Sequence, residues 1–99
     1  MRIKTYGTEY LIYLRRGDDT QTVEIVEATG DKEVKNLIYN TFRGRTQEPK
    51  SGNAPFTKIL VKRLNTIKKE SEVVIKTRCY NYSPRQARIE LENAIRMSQ

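Results

Sequence analysis

Two runs of strand-like sequence stand close together near the start of the chain, "YLIYLRR" (10–16) and "QTVEIVEA" (21–28), with "GDDT" between them. Such β-branched and aromatic runs suit a pleated surface with one face in a core and the other in water. A Gly- and Asp-containing break between them predicts an antiparallel hairpin whose loop is slightly longer than the tightest kind. The period of two puts Tyr10, Ile12 and Leu14 on one face and Leu11 and Tyr13 on the other. In the second run Val23, Ile25 and Glu27 share a face. A chain of 99 residues has room for one domain, residues 1–99, around one small core, so most of the remaining chain must pack on this hairpin.

Residues 29–99 are periodic enough to do so. "TGD" (29–31) opens a helix in which Asp31 serves as the cap, Glu33 suits the first turn, and Val34, Leu37, Ile38, Thr41 and Phe42 form the buried stripe. Gly44 is a plausible stop. Residues 43–55 read as a basic, polar loop of about 13 residues, a length that goes with function or mobility. From Ala54 to Lys69 a second helix is expected. Phe56, Ile59, Leu60, Leu64 and Ile67 fall in one narrow arc of the helical wheel, and Lys58, Lys62 and Lys69 lie opposite them. "SEVVIKTRCY" (71–80) alternates as a strand, with Val73, Ile75 and Cys79 on one side and Lys76 and Arg78 on the other. The last helix has a capping box, Ser83 with Gln86, and a proline in its first turn; Ala87, Leu91, Ala94 and Ile95 bury it. The expected fold class is α+β: a small three-stranded sheet with an N-terminal hairpin, packed against three helices in the order β-β-α-α-β-α.

Charge is distributed less evenly than these elements. Between Arg43 and Lys69 stand eight Lys or Arg against the single acid Glu48, which accounts for the whole formal net charge of +7. A local excess of this kind makes a directional field rather than general solubility, and polyanions are its natural partners. The chain has no histidine and one cysteine, Cys79. That removes His-based zinc sites, Ser-His and Cys-His nucleophile pairs and thiolate metal cages. Any catalysis must rest on Tyr, Lys, Arg, Asp or Glu, with a hard ion such as magnesium. No run approaches the roughly 18–20 apolar residues that cross a bilayer. The start "MRIKTYGTEY" lacks the apolar stretch of a signal peptide, so a cytoplasmic protein with no membrane partner is expected.

The candidate phosphate contacts derive from the charge. Arg43, Arg45 and Lys50 sit in the loop beside Ser51, Gly52 and Asn53, small residues whose backbone allows close approach of a phosphate. Lys58, Lys62 and Lys69 mark the outer side of the expected second helix. Arg78 with Lys76, and Arg15 with Arg16 at the hairpin turn, extend the track if they fold to the same side. Of the six tyrosines, Tyr6 among them, Tyr80 and Tyr82 in the turn before the last helix are the better placed to stack on bases. The plainer reading of each group is a solvated lysine face and tyrosines at the core edge. A third reading, from another class, is an adaptor or inhibitor of the phage or mobile-element kind that docks its basic face on an acidic host protein.

One family shares the hairpin start, the length and the element order. "LIY" (11–13) and "IVE" (25–27) lie eleven residues apart, and "ATGDKEVK" leads from the second into a helix. "IELENAI" (89–95) forms a glutamate-bearing last helix. In these features the chain resembles the GIY-YIG nuclease domain. The resemblance implies Tyr13 as a catalytic phenol, Lys35 where the family presents an arginine, and Glu92 as the magnesium ligand, with Glu90 as the nearer alternative. Ile25 stands where the family's second motif has its tyrosine, Glu27 where it has a glycine, and Lys35 substitutes a point charge for a fork-shaped guanidinium. The resemblance thus implies one of two things. The chain is a diverged magnesium-dependent endonuclease, or it kept the nucleic-acid surface, for DNA before RNA, and lost the cutting.

Overall fold

The computed structural model describes residues 8–50, 52–65 and 67–97, apart from the side chains of Val26 and Glu27. Tyr6 and Ser51 therefore lie outside the described residues. The elements run β1 (Thr8–Arg16), β2 (Asp19–Ala28), α1 (Asp31–Thr41), β3 (Phe56–Asn65), β4 (Glu70–Tyr80) and α2 (Pro84–Met97). The class is α+β as expected, but the layers differ: four strands and two helices, in the order β-β-α-β-β-α. All neighbours are antiparallel and the sheet order is β2-β1-β3-β4, two hairpins side by side with β1 and β3 inside.

The N-terminal hairpin is tighter than its sequence suggested. Arg16 pairs with Asp19, which leaves Gly17 and Asp18 as a two-residue loop. Gly17 has φ +60°, the positive value that a type II′ turn needs at its first central position and glycine supplies without strain.

The expected second helix is β3. Thr57, Ile59 and Val61 alternate inward and are buried, and β1 and β4 pair with the strand on its two sides. The helical wheel matched because Leu60 and Leu64, on the opposite face of the strand, are also apolar. That breaks the plain inside–outside alternation that identifies a half-solvated strand. In β4 the pairing shifts between Val61–Ile75 and Lys62–Val73. The extra residue, Val74, bulges and reverses the face of everything before it. Val73 therefore points away from Ile75 and Cys79, and 42% of it is exposed.

Both helices pack on one face of the sheet. Val34, Ile38 and Phe42 of α1 and its exit, with Ala87 and Leu91 of α2, close over Ile12, Leu14, Val23, Ile59, Val61 and Cys79. Each fully buried Ile, Val or Leu here contributes about 1.5–3 kcal/mol by leaving water. The helix starts are fixed locally. In α2, Gln86 Oε1 accepts from the Ser83 amide at 2.9 Å and the Ser83 hydroxyl accepts from the Gln86 amide at 3.2 Å, the expected capping box. In α1 the cap position is Gly30, with no side-chain bond. Asp31 is engaged elsewhere, and Glu33 reaches back to the Thr29 amide at 2.6 Å.

Candidate nucleic-acid interface

The helices cover one face and leave the other open. Pairing registers fix which residues share that open face, because directly opposed residues point the same way. One rung runs Thr20, Arg15, Lys58, Arg78 from β2 to β4. The next runs Thr22, Tyr13, Leu60, Lys76, and a third Glu24, Leu11, Lys62, Val73. Glu9, Leu64 and Ser71 lie beyond. Of these five cations, four lie in the two rungs nearest the β1–β2 turn; Lys62 shares the third with the acid Glu24, and Glu9 lies beyond.

The first rung is electrostatically unfavourable as it stands. Arg15, Lys58 and Arg78 occupy neighbouring strands, with Cβ atoms roughly 4.5–5.5 Å apart at each step, and like charges so placed repel. The ion pairs among the described residues join Arg63 to Asp31 and Glu72, and Arg88 to Glu92. None of them neutralises the five cations. Some of these are nonetheless held in place. The Arg78 guanidinium lies 4.4 Å from the centre of the Phe56 ring, with Nη1 3.4 Å from the Tyr80 hydroxyl. Arg15 Nε donates to the Gly17 carbonyl at 3.0 Å. The Lys62 ammonium stands 5.4 Å over the Tyr13 ring. A shallow depression of about 660 Å³ opens over Tyr13 and Leu60, bordered by these cations.

The remaining expected contacts divide. The connection that carries Arg43, Arg45 and Lys50 passes the same end of the sheet: the Arg45 carbonyl accepts from the Tyr80 amide at 2.7 Å, and Pro55 from the Asn81 amide at 2.8 Å. The three side chains are exposed. A second hollow, of about 540 Å³, shares Arg15 and Lys58 with the first and continues to Ala54 and Pro55. Lys69 lies at the β3–β4 turn, about 20 Å or more along the strand from the cationic rung. Tyr80 is only 5% exposed, and its ring tilts against Phe56 at 5.7 Å. Tyr82 packs edge-on to Phe42 at 5.1 Å. Tyr80 thus offers no free ring face, whereas Tyr82 is half-buried; Tyr13, expected as a catalytic phenol, is the half-buried ring at the centre of the patch.

Arg63 leaves the track, and Arg16 only borders the second hollow. Arg16 points to the helix side, where Nε donates to the Phe56 carbonyl at 2.9 Å and Nη2 to the Tyr82 carbonyl at 2.6 Å. It straps the end of β1 to β3 and to the turn before α2. Arg63 donates from Nη1 to Asp31 at 2.7 Å and from Nη2 to Glu72.

No family model matches this chain, and neither does a curated protein or a solved structure. The geometry alone bears on the expected catalytic set. Tyr13 is on the open face, while Lys35 and Glu92 are carried by helices on the other. The Glu92 carboxylate faces Arg88 at 3.8 Å. Among the described residues no three His, Cys, Asp or Glu side chains form a group able to hold a metal ion. Ile25 pairs with Tyr10 on the helix side, away from Tyr13. No described helix is long and apolar enough to cross a membrane.

Of the site, Lys58, Lys62 and Arg78 were legible as cations. Lys76 was placed beside Arg78 by the strand period, but their meeting with Arg15 depends on strand pairing across more than forty residues, which a reading of local periods does not reach. Leu60 and Thr20 carried no signal of their own. They are found only once residues 56–65 are read with a period of two.

Proposed function

We propose that this chain binds nucleic acid through the open face of its sheet, with Arg15, Lys58 and Arg78 on the phosphate backbone and Lys62 and Lys76 beside them. The supporting observation is the rung of three like charges on adjacent strands, none of them in an ion pair among the described residues. Such an arrangement disfavours the free protein and is relieved when a polyanion lies across it. Phosphate contacts of this kind gain their affinity from released counterions and carry no sequence information. Arg43, Arg45 and Lys50 extend the contact around the end of the sheet. The proposal is of binding rather than cleavage, because Tyr13 is separated by the sheet from Lys35 and Glu92.

The test is a fluorescence-anisotropy titration of labelled oligonucleotides at several salt concentrations. With three to five phosphates engaged, the logarithm of affinity falls against the logarithm of salt with a slope of about −2 to −4.5. Reversing Lys58 and Arg78 to Glu weakens binding at least about tenfold at moderate salt. An affinity indifferent to ionic strength, or unchanged by the reversal in a variant that keeps its circular dichroism, would contradict the reading.

A further inference from the structure

Resting on that reading, we infer that the strand bound is single, and that Tyr13 with Leu60 forms a platform for an unpaired base. A solvated face of an antiparallel sheet ordinarily presents polar residues at alternate positions. Here the middle of the cationic patch is apolar: Tyr13 and Leu60 are neighbours in one rung, both half-exposed. Packing with the helices does not explain them, since the helices lie behind the sheet. A ligand that meets this surface favourably must combine anionic groups with an apolar plane, as a nucleotide does.

The rungs set the spacing. Successive side chains on one face are two residues apart, roughly 6.5–7 Å along the strand. The Tyr13 rung is therefore flanked on one side by Arg15, Lys58 and Arg78 and on the other by Lys62. The Lys62 ammonium over the ring, 5.4 Å from its centre, shows that a face of the aromatic ring opens into the depression. A base laid there replaces the ammonium, which is then free to meet a phosphate. The depression of about 660 Å³ falls in the size range of sites that enclose small organic groups.

A duplex fits this surface poorly. Four strands about 4.8 Å apart span roughly 14 Å before side chains are counted, more than the roughly 12 Å width of the major groove. The face therefore meets a duplex only along its sugar-phosphate exterior, where Tyr13 and Leu60 find no base. Single strands expose bases that stack on aromatic rings with little regard to sequence.

The chain has no tryptophan, so Tyr13→Trp places a sole indole on the platform. Oligo-dT, oligo-rU and a DNA duplex, each of about 10 nucleotides, are titrated into this variant and into the wild type. The expected result is quenching of the indole by one or both single strands and no quenching by the duplex, which also binds less tightly. The two single strands tell DNA from RNA. Tyr13→Leu keeps the apolar volume without the ring and lowers single-strand affinity about tenfold, the lower part of what base stacking commands; Tyr13→Phe restores it. Equal affinity for single and double strands, or no loss in Tyr13→Leu, with salt-dependent binding intact, overturns this inference and leaves the phosphate reading standing. Absence of binding to all three probes, or binding untouched by reversal of Lys58 and Arg78, overturns the reading itself.

Discussion

Asp31 shows how one side chain acts in two layers. Its carboxylate accepts from the Tyr10 hydroxyl at 2.7 Å and from Arg63 at 2.7 Å, joining the start of α1 to β1 and β3. Burial, and then the Asp31 carboxylate, push the Tyr10 phenol well above its ordinary value of 10.0. The native state therefore keeps a proton that the unfolded chain releases as pH passes 10. This stabilisation is whole below pH 10 and is lost as pH rises toward the native value. Tyr10→Phe should cost about 1–2 kcal/mol at neutral pH. Denaturant midpoints should then fall less steeply for the variant than for the wild type above pH 10. Cys79, whose thiol burial pushes up to about 11, weakens both proteins alike in that range, so the comparison isolates Tyr10. A cap was the natural reading of an Asp before a helical stripe; the partner that claims it, Arg63, is 32 residues away.

At the scale of elements, most of the fold was legible and one strand was not. The hairpin runs, the α1 stripe of Val34, Ile38 and Phe42 and the Ser83–Gln86 box are local patterns, and local chemistry sets them. For residues 56–65 two periods fitted the same letters, because Leu60 and Leu64 lie on the open face. The open face thus concealed its own strand: apolar residues on both faces of a strand imitate a helical stripe. The two readings part over Ile59 and Leu60. A helix buries both, whereas in the sheet Ile59 is 1% exposed and Leu60 faces outward. Urea unfolding should show a loss of about 2–5 kcal/mol for Ile59→Ala and, for Leu60→Ala, a loss within about 1 kcal/mol. Equal losses would place both side chains in the core and remove the open face from the fold.

The whole molecule keeps its core on one side of the sheet, and the proposed binding would use the other. Its 47 × 27 × 20 Å extents give that sheet a long open surface, with four of its five cations in the two rungs nearest the β1–β2 turn. On the proposed function, repulsion along the Arg15–Lys58–Arg78 rung is a stability deficit that a bound polyanion offsets. Lys58→Thr, which keeps a good strand former at the centre of the rung, should raise the free protein's stability by a few tenths to about 1 kcal/mol. The same variant should weaken its hold on oligonucleotides; a change that left the two quantities moving together would break the link between charge crowding and binding. None of this was visible in the local charge count, because Arg15 and Arg78 lie 63 positions apart and meet only through β3. The division of labour also sets which lengths of chain the fold accepts. Since consecutive residues serve opposite sides, dropping Leu60 from the middle of β3 would trade the roles of all those after it in the strand, turning Val61 outward and Lys62 in. Around Val74 the outcome is reversed: β4 carries one residue in excess there, so the loss of a single position heals the kink and leaves Lys76 and Arg78 where they are.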